Sequence, residues 1–404
     1  MVPFGVAQGR WIIRSPFLRR RLDSAPPEAL VLDGANGYAI RSKTLVEKFG
    51  RSRAIGVRKM PALASTASFG GILAGPTGSS RVAHGRRSIE LQCPSCKNAL
   101  TALPYHLLGS LTEPIWCPNC SFLMEQLQGI WLGLTKERQK HFAPFLKDYE
   151  AVRRAEGRGS DDPNFYLSLP FEDQTRRNSW QWSIRGRTYR YMERAILPGL
   201  REETSSQPII LDLGAGNGWL SYRLAKSGYR PIAVDLQLNT FDGLGAAKHY
   251  LADLPALFPR FQAEVDRLPF ADDQFDCAVF NASFHYSENY DLTLAETIRC
   301  LRPGGTVVIA DSPFYKREES GLRMVEERQK QFQRTFGFQS NALSSCEYLT
   351  TNRLVALEAK HSLVWAKHRV WYGMRWACRP IKARLSKRRE PSQFHVYTAQ
   401  VKTQ

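Results

Sequence analysis

The chain has 404 residues, of which 43% are hydrophobic, and its 56 Lys/Arg against 38 Asp/Glu give a formal net charge of +18. That length allows two or three domains with sizeable cores, and no stretch of 18 apolar residues is present that would predict a transmembrane helix. The charge is uneven, because residues 201–315 carry nine Lys/Arg against fifteen Asp/Glu while both ends are strongly basic. The total charge therefore does not by itself predict nucleic-acid binding.

Residues 1–88 are rich in Arg, Gly, Ser, Pro and Ala and contain few acids or periodic apolar positions. This composition favours a basic, disordered extension. Two alternatives remain open: an organellar transit segment, which is typically rich in Arg and poor in acids, and a start site assigned too far upstream.

Two C-x-x-C motifs, "CPSC" and "CPNC", follow within residues 89–134, and 20 residues separate them. This spacing predicts a zinc ribbon in which one metal is held by the thiolates of Cys93, Cys96, Cys117 and Cys120. A site with four cysteine ligands has no open position, so the zinc would be structural. Two disulfides or a redox dithiol are the alternatives. The other cysteines, Cys277, Cys300, Cys346 and Cys378, are expected to be ordinary buried thiols.

Residues 135–200 are predicted to form helices and linkers. Apolar side chains recur at helical spacing over 135–157, at Phe142, Phe145, Leu146 and Tyr149. A polar linker over 156–164 separates this helix from a second helical stretch that contains Trp180, Trp182 and Tyr189. These three side chains either close over a ligand or simply pack in the core.

The segment "IILDLGAGNGWLSYRLAKSGYRPIAVDL", residues 209–236, reads as a buried strand, a glycine-rich turn, a helix and a second strand that ends in Asp235. This is the layout of a nucleoside-binding βαβ unit, whose terminal acid binds ribose hydroxyls. The glycine pattern differs from the dinucleotide fingerprint, because Trp219 occupies the place of a small residue. A turn without a ligand and an NAD-dependent dehydrogenase are the alternatives.

Two further motifs follow: "AEVDRLPFADDQFDCAVFNASFHY" over 263–286 and "LRPGGTVVIADSP" over 301–313. With the glycine-rich segment, they resemble the class I S-adenosylmethionine-dependent methyltransferases of type 11, the group that includes quinone-biosynthesis C-methyltransferases. The resemblance covers roughly residues 180–315 and a closing strand near 394–401. It implies an α/β fold with a Rossmann-like, seven-stranded, mostly parallel sheet and an antiparallel last strand, over a cofactor-binding core at 201–315.

The resemblance also implies a site for S-adenosylmethionine, formed by Asp212, Gly214, Gly216, Gly218, Asp235, Glu264, Val265 and Asn281. The first four match the motif around the methionine part of the cofactor. Asp235 matches the family's acid that binds the ribose hydroxyls. Glu264 would accept a hydrogen bond from the adenine amino group, and the backbone amide of Val265 would contact the adenine edge. Asn281 would lie near the methyl donor. Glu264 departs from the family pattern, in which a shorter Asp is usual.

Residues 316–404 begin with a charged helical stretch that is expected to cover the acceptor site, and end in alternating strands. Between the strands, 374–389 interleave Trp376 with seven Lys/Arg. The segment is either a solvated surface or a contact for anionic lipid or RNA.

The sequence therefore predicts a cytoplasmic S-adenosylmethionine-dependent methyltransferase that acts on a small or lipid-like molecule. His285, after the fourth strand, is the candidate catalytic base, although packing or substrate contact would explain it equally well. One alternative is an rRNA or tRNA base methyltransferase. It draws on a loose resemblance of the ribbon to zinc-binding activators of tRNA and translation-factor methyltransferases and to ribbons of rRNA guanine methyltransferases. The other is a non-catalytic zinc-ribbon adaptor that retains the fold.

Overall fold

A computed structural model of the chain describes residues 87–202 and 207–402. The predicted disordered extension, up to residue 86, lies outside these described residues. The strands are β1 Ser88–Gln92, β2 Ala99–Pro104, β3 Ile115–Trp116, β4 Leu123–Met124, β5 Gln126–Leu127, β6 Ile130–Leu132, β7 Ile209–Leu213, β8 Arg230–Asp235, β9 Arg260–Gln262, β10 Phe275–Asn281, β11 Leu301–Ala310, β12 Phe314–Tyr315, β13 Leu349–Thr350, β14 Ala366–His368 and β15 Val396–Gln400.

Ten helices accompany these strands in the described part of the chain. They are α1 Lys136–Ala155, α2 Pro163–Ser168, α3 Ser179–Ala195, α4 Leu197–Glu202, α5 Trp219–Lys226, α6 Tyr290–Cys300, α7 Glu318–Phe336, α8 Thr351–His361, α9 Met374–Ala377 and α10 Arg379–Leu385. Short 3₁₀ segments lie at Tyr105–Leu107, Leu244–Ala252 and Phe284–Tyr286.

One mixed sheet of nine strands organises the fold, in the order β14-β15-β11-β10-β7-β8-β9-β6-β5. The strands from β11 to β9 are parallel, and β15 runs antiparallel to β11. The first seven strands in this order are the predicted Rossmann-like sheet with its antiparallel last strand, so that prediction is confirmed. Because parallel strands end at one edge, the sheet brings the loops after β7, β8, β9 and β10 together.

The other two strands of this sheet, β5 and β6, come from the segment that the sequence predicts to be a zinc ribbon. β6 pairs parallel with β9, with Ile130 opposite Arg260. An isolated bridge joins Leu91 to Phe270. Apolar side chains from both parts share one hydrophobic cluster, which includes Ile89, Leu91, Met124, Trp131, Leu211, Val234, Phe261 and Phe270. The cysteine-bearing segment and the cofactor-binding core are thus continuous in sheet and core.

Local sequence explains where the helices of the site begin. Thr135 caps α1 by accepting from the backbone N–H of Arg138 at 3.3 Å, as N-cap threonines do. The linker predicted over 156–164 ends earlier, at Asp162, which caps α2 by accepting from the N–H of Asn164 at 2.9 Å. α1 therefore confirms the helix predicted over 135–157, and its apolar face turns toward the sheet edge described below.

The C-terminal part supplies α7 to α10 and the strands β12 to β15. Two of the four scattered cysteines, Cys277 and Cys300, are buried as predicted, and Cys346 is half-buried. Cys378 is exposed, which contradicts the prediction, because it lies at the end of the short surface helix α9. Among the described helices, none combines the length and the apolar character that crossing a membrane requires.

Candidate functional site

The glycine-rich turn connects β7 to α5. Gly214, Gly216 and Gly218 all have positive φ angles, of 74°, 56° and 78°, a conformation that favours glycine. Space is a second reason at Gly214, because a Cβ atom there would lie 2.3 Å from the Cβ of Ser283. The turn therefore brings bare backbone close to the loop that follows β10.

Asp212, near the end of β7, fixes this turn to the helix that follows. Its side chain is 1% exposed and accepts from the backbone N–H of Ser221 at 3.1 Å and from the Ser221 hydroxyl at 2.7 Å. Burial raises the pKa of Asp212 to about 7, against hydrogen bonds from Ser221 that lower it. The visible role of this carboxyl is to tie β7 to α5, and its contact with a cofactor stays a prediction.

Asp235 ends β8 on the opposite side of the turn. Its Oδ2 accepts from the N–H of Gly216 at 2.8 Å, and its Oδ1 accepts from the N–H of Gln237 at 2.8 Å. Burial raises the pKa of the Asp235 carboxyl, while these backbone donors lower it. One acid therefore holds the glycine turn and also lines the adjoining cavity.

Glu264 follows β9 and lines the same cavity as Asp235. It is 4% exposed, and its Oε2 pairs with the guanidinium of Arg138, whose Nε lies 2.8 Å away and whose Nη2 lies 2.7 Å away. Burial raises the pKa of Glu264, and Arg138 opposes that shift. Val265 also lines the cavity. Sequence reasoning missed Arg138, which lies on α1, 126 positions before Glu264.

Three adjoining cavities open at this edge of the sheet, and Tyr149 and Tyr286 line all of them. We call them the acidic, arginine and aromatic cavities. Lining residues of the acidic cavity include Asp235, Glu264, Val265, Asp266, Ser283 and Glu288. Those of the arginine cavity include Arg153, Arg158, Arg185, Asp212, Asp242 and Asn281. Those of the aromatic cavity include Phe145, Phe332, Phe338, Leu343, Arg328 and Glu347. The two tyrosines thus mark where the cavities meet.

The arginine cavity contains buried polar atoms without partners. Neither Nδ2 nor Oδ1 of Asn281 has a hydrogen-bond partner within the described residues, and the same holds for Nε of Arg185 and Nη1 of Arg158. Buried polar groups are normally paired with protein groups or ordered water, so these atoms are available to a polar ligand or to water. Asn281 was predicted from sequence, whereas the arginines were missed because they lie on α1, on α3 and between α1 and α2, with no motif around them.

His285 is 5% exposed, and its Nδ1 lies 3.3 Å from the hydroxyl of Ser312. Burial, and next the charge of Arg328, lower the pKa of His285 to about 3, so the ring is neutral at physiological pH. It is absent from the described linings of the three cavities, which Tyr286 reaches instead. A base role for His285 stays a prediction.

The aromatic residues of α3 divide between the two predicted roles. Trp182 lines the arginine cavity and packs edge-to-face on Trp219, with ring centroids 6.1 Å apart. Tyr189 also packs edge-to-face on Trp219, with ring centroids 6.1 Å apart. Trp180 lies away from the cavities, beneath the guanidinium of Arg375 at 4.5 Å. Packing therefore explains two of the three side chains.

The four predicted metal ligands converge. The Sγ atoms of Cys93, Cys96, Cys117 and Cys120 all lie within 4.8 Å of one another, and none of the four forms a disulfide. A tetrahedral zinc site with bonds of about 2.3 Å places its sulfurs about 3.8 Å apart, so these thiols fit one zinc ion. Each knuckle closes through a residue with positive φ, Lys97 at 62° and Ser121 at 60°.

Comparison with known proteins agrees with the geometry of the sheet and the glycine turn. Residues 211–309 match the family model described as a methyltransferase domain. The chain is 30% identical over 122 residues to demethylmenaquinone methyltransferase of Mycobacterium tuberculosis, which covers 30% of this chain and 47% of that protein. It is also 30% identical over 111 residues to malonyl-[acyl-carrier protein] O-methyltransferase of Buchnera aphidicola, which covers 27% of this chain and 41% of that protein. The chain thus spans less than half of these relatives.

Among solved structures, an S-adenosylmethionine-dependent methyltransferase from Mesorhizobium loti has a TM-score of 0.35 at 17% identity, over 50% of this chain and 96% of that chain. A complex between the Haloferax volcanii Trm112 methyltransferase activator and a methyltransferase has a TM-score of 0.35 at 17% identity, over 55% of this chain and 97% of that chain. The family match falls on β7 to β11, the strands whose ends carry the glycine turn, Asp235 and Asn281. The chain therefore contains a methyltransferase domain, and the family model matches it over residues 211–309.

Proposed function

We propose that the protein is an S-adenosylmethionine-dependent methyltransferase whose acceptor is a small or lipid-like molecule. The observation that carries this proposal is Asp235, which ends β8 inside the family-matched segment, holds the glycine turn through Gly216 and lines the acidic cavity. A carboxylate at that strand end is suited to ribose hydroxyls.

The polar residues around the site fit the cofactor. Asp235 and Glu264 offer carboxylates to ribose and adenine in the acidic cavity, and the unpaired amide of Asn281 offers a donor and an acceptor in the arginine cavity. The cofactor, when bound, supplies a methyl group already activated by its sulfonium. What remains for the chain is to align the acceptor and exclude water.

Helix α1 is the element that excludes water. Phe142, Phe145, Leu146 and Tyr149 line the acidic cavity from its apolar face. α1 is held over the cavity by the ion pair between Arg138 and Glu264 and by that between Arg153 and Asp242. The predicted amphipathic helix thus acts as a cover for the site.

The aromatic cavity favours an apolar acceptor. Phe145, Phe332, Phe338 and Leu343 line it, and it joins the other cavities at Tyr149 and Tyr286. An apolar body there would lie close to the loop after β10, where the family places the methyl donor. An RNA base is less well supported as the methyl acceptor, because residues 201–315 carry an excess of acids. An enzyme that acts on RNA normally presents a basic surface leading to its site.

We also infer that the four cysteines hold one structural zinc ion. Four thiolate ligands leave no position for substrate, and the cluster joins the turn between β1 and β2 to the turn between β3 and β4. Through Leu91 and β6, these elements support the strand that precedes Glu264. The role of the metal is therefore to stabilise the sheet edge beside the cofactor cavity.

The test is calorimetric binding of S-adenosylmethionine and NAD to the full chain, followed by methyl transfer from labelled cofactor to a lipid extract and, separately, to total RNA. We expect binding of S-adenosylmethionine and label in the lipid extract. Tighter binding of NAD would support the dehydrogenase alternative. Label confined to RNA would support the nucleic-acid alternative, and binding without transfer to either extract would support the adaptor.

A further inference from the structure

Arg158 and Arg185 are the least satisfied charged side chains of the arginine cavity. Arg153 pairs with Asp242. Arg158 is 3% exposed and pairs through Nε with Glu156 at 2.8 Å, which leaves Nη1 without a partner. Arg185 is half-buried, with its guanidinium 4.8 Å from the ring centroid of Trp182, and its Nε has no hydrogen-bond partner among the described residues. A buried N–H of a guanidinium that lacks an acceptor is unfavourable, so each of these two side chains has a donor available to an anion.

These guanidiniums also repel one another. Burial, and then the charges of Arg158 and Arg153, lower the pKa of Arg185 to about 10. The opposing charges that act on Arg185 are those of Asp311 and Asp242, and neither forms an ion pair with Arg185. Asp311 instead accepts a hydrogen bond from the hydroxyl of Thr188 at 2.6 Å, and Asp242 pairs with Arg153. An anion in the cavity would relieve this repulsion.

The proposed cofactor does not supply enough negative charge. It has one carboxylate, an ammonium and a sulfonium, so its binding adds net positive charge beside Arg158 and Arg185. A negative group is still needed, and the acceptor is the remaining component of the site. The aromatic cavity, which meets the arginine cavity at Tyr149 and Tyr286, offers room for an apolar body attached to that group.

We propose that the acceptor is an amphipathic anion, whose carboxylate or phosphate binds Arg158 and Arg185 while its apolar part occupies the aromatic cavity. This proposal rests on the proposed function. Arg185 offers a planar donor fork stacked on Trp182, an arrangement suited to bidentate recognition of an oxyanion. Arg158 adds a second donor through Nη1.

The experiment titrates octanoate, octyl phosphate and octanol into the full chain saturated with S-adenosylhomocysteine, whose carboxylate occupies any anion contact that belongs to the cofactor. We expect the anions to bind at least tenfold more tightly than octanol, and the tighter of the two identifies the carboxylate or the phosphate. Arg185→Gln should abolish this preference and keep S-adenosylhomocysteine affinity within a few-fold. Arg187→Gln, at an exposed arginine of the same helix, should keep both the preference for anions and the affinity for S-adenosylhomocysteine.

Two results overturn the proposal. In the first, the anions bind no more tightly than octanol. In the second, Arg185→Gln weakens S-adenosylhomocysteine tenfold or more, which would assign the guanidinium to the cofactor carboxylate. Arg158→Gln is measured in parallel, in case Arg185→Gln does not fold, and the same criteria apply. Absence of any S-adenosylhomocysteine binding would overturn the proposed function as well.

A different part of the molecule carries a second inference. Between Glu358 and Glu390 the chain has ten Lys/Arg and no Asp/Glu. This region, which we call the basic surface, also exposes large apolar side chains: Val364, Trp371, Met374, Ile381 and Leu385. Leu385 is 81% exposed and Ile381 is 63% exposed, and they lie one turn apart on α10. Side chains at this spacing share one helix face.

The basic side chains around this face have few partners. Arg379 stacks on Trp376, and Arg389 pairs with Glu327 at 2.7 Å. Five others are exposed and form no ion pair with any described residue: Arg375, Lys382, Arg384, Lys387 and Arg388. Exposed aliphatic side chains within a basic surface complement an anionic membrane interface. RNA fits less well, because four of the five exposed apolar side chains are aliphatic, and only Trp371 could stack on a base.

We propose that the basic surface binds anionic lipid bilayers, with Ile381 and Leu385 inserted at the acyl boundary and the Lys/Arg on phosphate headgroups. The test is cosedimentation of the full chain with phosphatidylcholine vesicles that do or do not contain phosphatidylglycerol. We expect binding to the anionic vesicles only, weakened by salt. The double change Ile381→Ser and Leu385→Ser should weaken it about tenfold or more.

The matched control is Leu322→Ser with Val355→Ser, which removes two side chains that are 54% and 53% exposed on α7 and α8. It should bind vesicles as the wild type does. Equal weakening by both double variants would overturn the proposal. So would absence of vesicle binding with binding of total RNA that depends on Lys382 and Arg384, a result that would assign the basic surface to RNA.

Discussion

The cysteine cluster and the glycine-turn site were both predicted from motifs, but the chain assembles them differently. The ligands of the cluster lie at most 27 positions apart, and each pair is closed by its own knuckle. The glycine-turn site combines α1, the ends of β7 to β10 and side chains as distant as Arg138 and Glu264, 126 positions apart. A motif is therefore sufficient for the cluster, whereas the second site depends on the whole sheet.

The two regions are nevertheless joined. β6 pairs with β9, and Trp131 stacks on Phe261 with ring centroids 6.3 Å apart. The indole N–H of Trp131 donates to the carbonyl of Leu108 at 2.7 Å, which connects this contact to the segment between the knuckles. Loss of the cysteine cluster should therefore alter the cofactor cavity, whereas substitutions in the cavity should leave the cluster intact.

The largest effect is expected from Cys93→Ser. Loss of one thiolate should reduce the zinc content from about one ion per chain to none. The free energy of unfolding should fall by on the order of 5 kcal/mol, because structural zinc contributes roughly 10–16 kcal/mol in small domains. Metal analysis and denaturant unfolding measure this. Cys378→Ser, at an exposed cysteine outside the cluster, is the control. Two disulfides and no metal in the wild type would contradict the assignment.

A smaller effect, on the pH dependence of stability, is expected from Asp212→Asn in the glycine-turn site. The ordinary pKa of Asp is 3.8, and burial raises that of Asp212 to about 7. Between these values the unfolded chain has ionised while the folded chain keeps its proton, so stability should fall as pH rises, by up to about 1.4 kcal/mol per unit. The amide introduced by this substitution cannot ionise, so the stability of the variant relative to the wild type should rise from pH 4 to pH 7.

Thermal unfolding of both proteins across that window measures the difference. Asp253→Asn is the control, because Lys226 and Tyr222 lower the pKa of the exposed Asp253. Its stability relative to the wild type should not rise over the same range. A constant difference for Asp212→Asn would mean that the carboxyl is ionised in the folded protein.

Asp235→Ala tests the proposed ribose contact. Losing hydrogen bonds from two hydroxyls to a carboxylate should weaken S-adenosylmethionine binding by roughly 1.5–3 kcal/mol, a ten- to hundredfold increase in Kd. Part of this effect would come from the N–H of Gly216, which also loses its acceptor. Zinc content should not change, because the cluster does not depend on the cavity. Unchanged affinity would show that the acid only orders the turn.

The smallest effect is expected from Arg138→Gln, which removes the partner of Glu264 where α1 meets the sheet. The side chain of Arg138 is 21% exposed, so the ion pair is partly solvated, and we expect cofactor affinity to fall by about 1 kcal/mol or less. Arg154→Gln, at a 55% exposed arginine of the same helix, should have no effect. If both variants behave alike, the pair does not orient Glu264.

Several features of this protein were determined by the sequence alone. The spacing of the C-x-x-C motifs predicted a cluster that the thiols do form. Three motifs placed Asp235 at a strand end, and their resemblance to a known family implied the parallel sheet and its antiparallel last strand. These signals are local, because a knuckle or a glycine turn needs particular residues at fixed offsets.

Which distant side chains meet depends on the packing of the whole fold. The three arginines, the Arg138–Glu264 pair and the junction at Tyr149 and Tyr286 lie on helices and loops whose sequences contain no motif. The sheet extension by β5 and β6 was missed for a similar reason, since two- and three-residue strands have too short a pattern to predict their partner. The partner is chosen by burial, as Trp131 and Phe261 leave water together.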